Sequence, residues 1–458
     1  MARSKGAAAR RRKAATAKKA NANANAARTV EAPKKAVVPG KCPLPSDVLA
    51  EIHERLRFLD RIHFASVFAS RDDERFKPYA PWLLLPGKSP EKFELFSIAD
   101  RRSATFQPAA DPALRGHLVL GSSRGWLATA DDRGQIYLVN PLSGTQLRLP
   151  HMSTMGLFLP STQYQHFSLV IPDFLKARFG GGPPYDHELG PVGHGTLTYF
   201  KCQMREYFYR KVVLSTSPRP GSYAAMLIME HTIGAPAFAT TKHPAWRLAP
   251  SREGVDDAIH HDGRFYSVSY SGLVEAWERN AVSGAYTSRA VAPRLALGEN
   301  EDGSSSSCHK YLAAAPGGRL MVMLKYLEVI KEQYARAGGR APWQWKEGTD
   351  EGQWKEGTDI GNVALFVGVN NSLCLPTTER PQIVVAARSL MSDGGGRSDD
   401  ELGNRSTYDG DGGHSESDLQ AVGVYSLKDG TMKEIWDLGE QVRNFYPPPV
   451  WILLVPSK

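Results

Sequence analysis

Between residues 44 and 68, apolar side chains recur at helical spacing. Val48, Leu49, Ile52 and Leu56 form one stripe behind Leu44-Pro45-Ser46-Asp47. Asp60 precedes a second set, Ile62, Ala65, Val67 and Phe68. Ser46 or Asp47 is expected to cap the first helix and Asp60 the second, since a side-chain oxygen can accept from the free N–H groups of a first turn. Helices this short make too small a core to stand alone, so they need a partner surface.

After Pro78 the helical period gives way to short apolar runs separated by turn residues. Gly125 to Thr129, the turn Asp131-Asp132-Arg133-Gly134, and Gln135 to Val139 read as strand, turn, strand, closed by Asn140-Pro141-Leu142-Ser143-Gly144. The same unit recurs from Asp257 to Val268, with Leu273 to Trp277 following Ser271-Gly272. It recurs again around Pro316-Gly317-Gly318, around Asn370-Asn371 and around Lys428-Asp429-Gly430. Hairpins spaced by tens of residues over so long a stretch predict radial repetition. The expected fold is mainly β, a β-propeller of six to eight blades.

Composition divides the chain further. Residues 1–41 hold 12 Lys or Arg and one acid, a charge of +11, while the whole chain carries +8. The remainder is therefore −3, and the basic character belongs to a tail rather than to a nucleic-acid-binding face on the body. Residues 1–40 lack aromatic and almost all branched apolar side chains, so disorder is expected there. Arg10, Arg11, Arg12 and Lys13, then Lys18 and Lys19, have the spacing of a two-part nuclear-import signal. An organelle transit peptide stays open as an alternative. The four cysteines are far apart, without zinc-ribbon spacing or a disulfide framework. No apolar run reaches the length of a membrane helix, so neither a membrane nor nucleic acid is an expected partner.

Leu44-Pro45-x-Asp47-Val48-Leu49-x-x-Ile52-x-x-Arg55-Leu56, followed by Asp60, Ile62 and Ala65-Ser66-Val67, resembles an F-box. Phe68 stands where that motif has cysteine, and Arg71 where it has tryptophan. The remainder resembles the KIB-type propeller that commonly follows an F-box in plants. The residues are Gly121-Ser122-Ser123-Arg124-Gly125-Trp126-Leu127, Leu138 to Gly144, Leu149-Pro150, Asp256-Asp257-Ala258, Ala364 to Gly368, Asn371-Ser372, Val424-Tyr425 and Pro447 to Trp451. Gln382 to Ala387 and a Gly/Asp-rich stretch replace one strand that the family carries after its Asn-Ser segment, so that blade is expected to be altered.

This divides the chain into a tail (1–40), an F-box-like helical unit (41–77) and a propeller (78–458), with insert loops near 335–359 and 391–418. Within the first insert, Trp-Lys-Glu-Gly-Thr-Asp occurs at 345–350 and again at 354–359, which reads as a tandem duplication in a loop. The resemblance implies a non-catalytic substrate receptor of a cullin–RING ubiquitin ligase. Leu44, Pro45, Leu49, Ile52, Leu56, Ile62 and Val67 would meet a Skp-type adaptor, and through it a cullin. The propeller would bind a target protein, and no cofactor is expected. A propeller scaffold with a degenerate F-box is the first alternative.

Three motifs suggest other chemistry. Gly121-Ser122-Ser123-Arg124-Gly125 satisfies the GxSxG pattern of a hydrolase nucleophile, which requires a strand-to-helix turn at the serine. The residues that follow read as a strand instead. His260-His261 beside Asp256, Asp257 and Asp262 could be drawn as a metal site, yet neighbours on a strand point to opposite faces. Asp409-Gly410-Asp411-Gly412-Gly413 lacks the remaining ligands of a calcium loop. A serine hydrolase or metalloenzyme is the remote alternative.

Overall fold

A computed structural model describes residues 44–56, 60 and 64, most of 81–295, and the strands between 308 and 453 with several of their turns. Residues 1–40, Ile62, Val67, 391–418 and the Asp409–Gly413 motif lie outside the described residues.

One helix, α1 (Ser46–Arg55), opens the described chain. Its cap differs from the expectation. Pro45 is the N-cap residue and makes no side-chain cap bond, while Ser46 already has helical backbone. Proline tolerates this place because the N–H it lacks would have no partner in a first turn. Asp47 sits in that turn, where an acid favours the positive end of the helix dipole.

Asp60 and Phe64 also have helical backbone, and everything else described is strand, turn, irregular backbone or one short 3-10 helix. Five four- or five-stranded sheets follow in sequence, and a sixth joins strands from both ends of the described region. The first sheet comprises Trp82–Pro86, Phe93–Ser97 and Arg102–Phe106, completed by Val450–Ile452 pairing with Trp82–Leu84. The second begins with Leu118–Ser123, the third with Tyr209–Leu214, the fourth with Asp257–His261 and the fifth with Cys308–Ala314. The sixth carries Val363–Gly368 and four further strands.

The leading strands of the second to fifth sheets, Val450–Ile452 of the first, and Val363–Gly368 with Leu373–Pro376 of the sixth touch in one closed cycle. Six apolar clusters match that cycle, one between each pair of neighbours. Trp82, Leu84, Val119 and Leu127 join the first and second sheets. Val213, Phe238, Phe265 and Trp277 join the third and fourth. Ile259, Val268, Leu312 and Val322 join the fourth and fifth, and Ala313, Met323, Leu365 and Ile383 the fifth and sixth. Leu83, Phe96, Phe366 and Trp451 close the circle between the sixth and first. Sheets covered on both faces need apolar residues on both, which is why all six residues of Leu118–Ser123 are buried.

A further three-stranded sheet (Phe158–Pro160, His166–Val170, Thr196–Phe200) contributes no strand to this cycle. It packs into the cluster shared by the second and third sheets, where Phe158, Phe167 and Phe208 meet edge to face at 5.4–5.6 Å.

One reading is corrected here. The Trp-Lys-Glu duplication forms the outer strands of the fifth sheet, Trp343–Gly348 and Trp354–Glu356, rather than a loop. The copies pair antiparallel, with Lys346 opposite Glu356 and Glu347 opposite Lys355. A Lys-Glu dipeptide is complementary to itself in that register, because opposite charges then fall directly across from each other. Gln382–Ala386 does form a strand, in place of the family's usual sequence, but it pairs parallel to Val363–Gly368. The sixth sheet is thus no simple meander, and its altered sequence coincides with altered topology. Among the described residues, no helix is long and apolar enough to cross a membrane.

Candidate functional site

The leading strands of the second to fifth sheets and Val363–Gly368 of the sixth run in one direction, so their starts gather at one end and their finishes at the other, while Leu373–Pro376 runs back. Contacts at both ends show this alignment. At the starts, Asp256 lies beside Arg210, His309 and Lys310 from the neighbouring sheets. At the finishes, Asn371 N donates to Ser122 O at 2.9 Å, and Gly318 lies against His261.

The starts carry a buried charge network. Arg210 Nη2 is 3.1 Å from Asp256 Oδ1, and Lys211 Nζ is 2.5 Å from Asp257 Oδ1. The second oxygen of each carboxylate reaches the next sheet, accepting from Lys310 N and Leu312 N at 2.9 Å each. Each aspartate therefore joins three consecutive inner strands. Both are almost wholly buried, as are Lys211 and Lys310. Burial alone would raise the Asp256 carboxyl, but His309, Arg210 and Lys310 outweigh it and hold its pKa at about 2. Arg210 also donates to Tyr270 Oη at 3.0 Å. Every strong donor and acceptor here is committed to a neighbour, so the network holds the ring together.

Asp256 and Asp257 stand out in the sequence only through the family resemblance and the His260-His261 motif, and Arg210, Lys211 and Lys310 do not stand out at all. The available signal was a basic residue directly before an apolar run, Arg210-Lys211 ahead of Val212-Val213-Leu214.

At the finishing end, Ser123 closes its strand and Arg124-Gly125 turns directly into Trp126–Ala130. Both turn residues have positive φ, 52° and 78°. This is strand–turn–strand, so the serine lacks the helix that a nucleophile elbow places behind it. Ser122 Oγ donates to Trp451 O, while Ser123 Oγ is buried without a partner. His260 packs edge-on against Phe265 at 5.0 Å, whereas His261 approaches Gly318. The two rings diverge, and among the described residues no three His, Cys, Asp or Glu side chains gather as a metal site. Burial, with Arg124 and His261 adding to it, lowers the His260 pKa to about 4.

At the start of α1, Leu44 just before the helix and Val48 within it are exposed at 44% and 40%, and Pro45 is exposed beside them. Leu49 is buried at 6%, and Ile52 and Leu56 are half-buried. The outward apolar surface is therefore Leu44, Pro45 and Val48, with Leu49 on the inward side.

No curated protein matches this chain. Among solved structures, the WD40 repeats of RRP9 are similar at 13% identity and a TM-score of 0.30, covering 62% of this chain and 86% of that one. YCF48 from Cyanidioschyzon merolae is similar at 10% identity and a TM-score of 0.28, covering 68% of this chain and 64% of its own. YCF48 bound to D1 peptide gives 10% identity and a TM-score of 0.27, over 64% of this chain and 72% of that one. A family model, the KIB1-4 beta-propeller, matches residues 95–388, which run from the first sheet into the sixth. By that match the chain belongs to the KIB1-4 β-propeller family.

Proposed function

We propose that this protein is the substrate-recognition subunit of a cullin–RING ubiquitin ligase, with a six-bladed propeller as its target-binding part. The blade number rests on the six apolar clusters and the closed cycle of inner strands; the sheet at 158–200 is then an insert between the second and third blades. The observation that carries the receptor reading is the exposed apolar pair Leu44 and Val48 at the start of a short helix bearing the F-box-like sequence. Two such side chains are costly in water and suit an adaptor groove. Catalysis would be proximity: the receptor raises the local concentration of an acceptor lysine near the conjugating enzyme. The basic clusters at 10–13 and 18–19 would carry the protein to the nucleus.

Co-purification with a Skp-type adaptor tests this. Leu44→Asp combined with Val48→Asp should abolish binding while leaving the propeller folded, because both side chains already face water. Leu49→Asp is a poor probe, since it buries a charge in the helical unit itself. A folded wild type that fails to bind adaptor overturns the ligase reading and leaves a propeller scaffold.

A further inference from the structure

Only two non-glycine residues among those described have positive φ, Arg124 at 52° and Asp262 at 45°. They occupy equivalent places, each followed by glycine in the first hairpin turn of its sheet. Asp-Gly is a favoured pair for such a turn; Arg-Gly is not, because arginine gains no local hydrogen bond in the left-handed region. A residue held in an unfavourable backbone region at a strand tip, where glycine or asparagine would serve better, points to a use for its side chain.

The surroundings indicate the use. Arg124 is exposed and stands at the finishing end of the inner strands. Its positive charge reaches His260, two sheets further round the ring. Among the described residues, the other exposed charges around the first-hairpin turns at this end are Asp262, Arg319 and the Arg264–Glu278 pair at 3.7 Å, which with Arg124 leaves one cation in excess. Next to Arg124 in the chain, Ser123 Oγ is buried without a hydrogen-bond partner, and so is Oδ1 of Asn371, whose N–H donates to Ser122 O. Buried polar atoms in folded proteins are nearly always paired, so two orphans on adjoining backbone call for a partner from outside the chain. The opposite end differs: its turns and loops present Asp131, Asp132 and Glu230 beside Arg133, with Glu253 paired to Arg294, and its buried network is internally satisfied.

We propose that the end of the ring centred on Arg124 is a docking surface for an acidic segment of a partner polypeptide, whose carboxylate pairs with the Arg124 guanidinium. This deepens the receptor reading and rests on it for the identity of the partner as a target. It does not depend on the adaptor contact, so the two can fail separately.

Fluorescence polarisation on the full chain tests it with labelled twelve-residue peptides of alternating Asp and Gly-Ser, and a matched peptide with Asn for Asp. Arg124→Gly removes the charge while relieving the backbone. The variant should therefore melt about 1–2 °C higher yet bind the Asp peptide about tenfold more weakly, the effect of one lost charge-assisted contact. Arg133→Ala, in an exposed turn at the other end, should leave binding unchanged. The basic tail is common to all variants, so differences between them report the ring. Failure of the wild type to prefer Asp over Asn, unchanged binding in Arg124→Gly, or equal loss in Arg133→Ala would each overturn the proposal. Adaptor co-purification from the same preparation tells that failure apart from failure of the ligase reading.

Discussion

Lys211 Nζ lies 2.5 Å from Asp257 Oδ1, with both side chains at most 5% exposed. The pair crosses from the third sheet to the fourth, and the same carboxylate also accepts from Leu312 N of the fifth. Asp257→Ala would leave a lysine charge buried and unpaired. Breaking a buried pair from one side costs about 3–5 kcal/mol, whereas replacing both partners by apolar residues is often close to neutral. Urea denaturation should therefore show Asp257→Ala far less stable than Lys211→Met combined with Asp257→Leu.

Asp256 supplies a pH dependence with a definite sign. Its folded pKa of about 2 lies below the ordinary 3.8, so the folded state binds this proton less readily than the unfolded chain. The contribution is complete above about pH 4 and disappears as pH falls through 2. It amounts to about 2 kcal/mol by linkage. Stability measured between pH 5 and pH 2 should fall more steeply for wild type than for Asp256→Asn, which cannot ionise.

Gly121 is needed for two reasons at once. Its φ is 151°, and a Cβ there would stand 2.9 Å from both Val212 O and Val369 O. Those oxygens belong to backbone on either side of the second sheet, so neither can swing away. Gly121→Ala should lower stability by about 2–4 kcal/mol, read as a drop in melting temperature. Gly156→Ala has open space around its Cβ and should cost only its left-handed backbone strain.

Trp451 is fully buried and meets Phe366 edge to face at 5.3 Å. Trp451→Ala removes the largest side chain between the sixth and first sheets and should cost about 3–5 kcal/mol. If the first sheet detaches as a unit, hydrogen exchange will show protection lost in 82–106 before it is lost in 209–292.

Hairpins were legible because their turns need particular residues. Asn140 to Gly144 and Asn280 to Gly284 build the same turn in the second and fourth sheets. In each, the asparagine side chain accepts from backbone N–H groups ahead of it, and the glycine N–H returns to the asparagine carbonyl. The shared Asn-x-x-Ser-Gly pattern is a repeat that strand divergence hides. Other features left no local signal. The parallel pairing of Gln382–Ala386 depends on a partner already chosen by Val363–Gly368, and an apolar run reads alike in either direction. Lys211 and Lys310 resemble ordinary surface lysines, because their partners lie 46 and 54 positions away in Asp257 and Asp256. The exposure of Leu44 and burial of Leu49 follow from rotation of a helix against residues that its own stripe does not name.

Pairing of Val450–Ile452 with Trp82–Leu84 joins residues up to 370 positions apart. At ordinary rates of synthesis, about 5–20 residues per second, the first sheet waits roughly 20–70 s for its innermost strand. Throughout that interval the nascent ring is an open arc, its leading edge a row of unpaired backbone groups beside Leu83 and Leu84. The helical unit at 44–56 emerges earlier still, so its exposed Leu44 and Val48 are presented before the arc has closed. Whatever shields that edge during translation would then set how much of the protein reaches the closed ring.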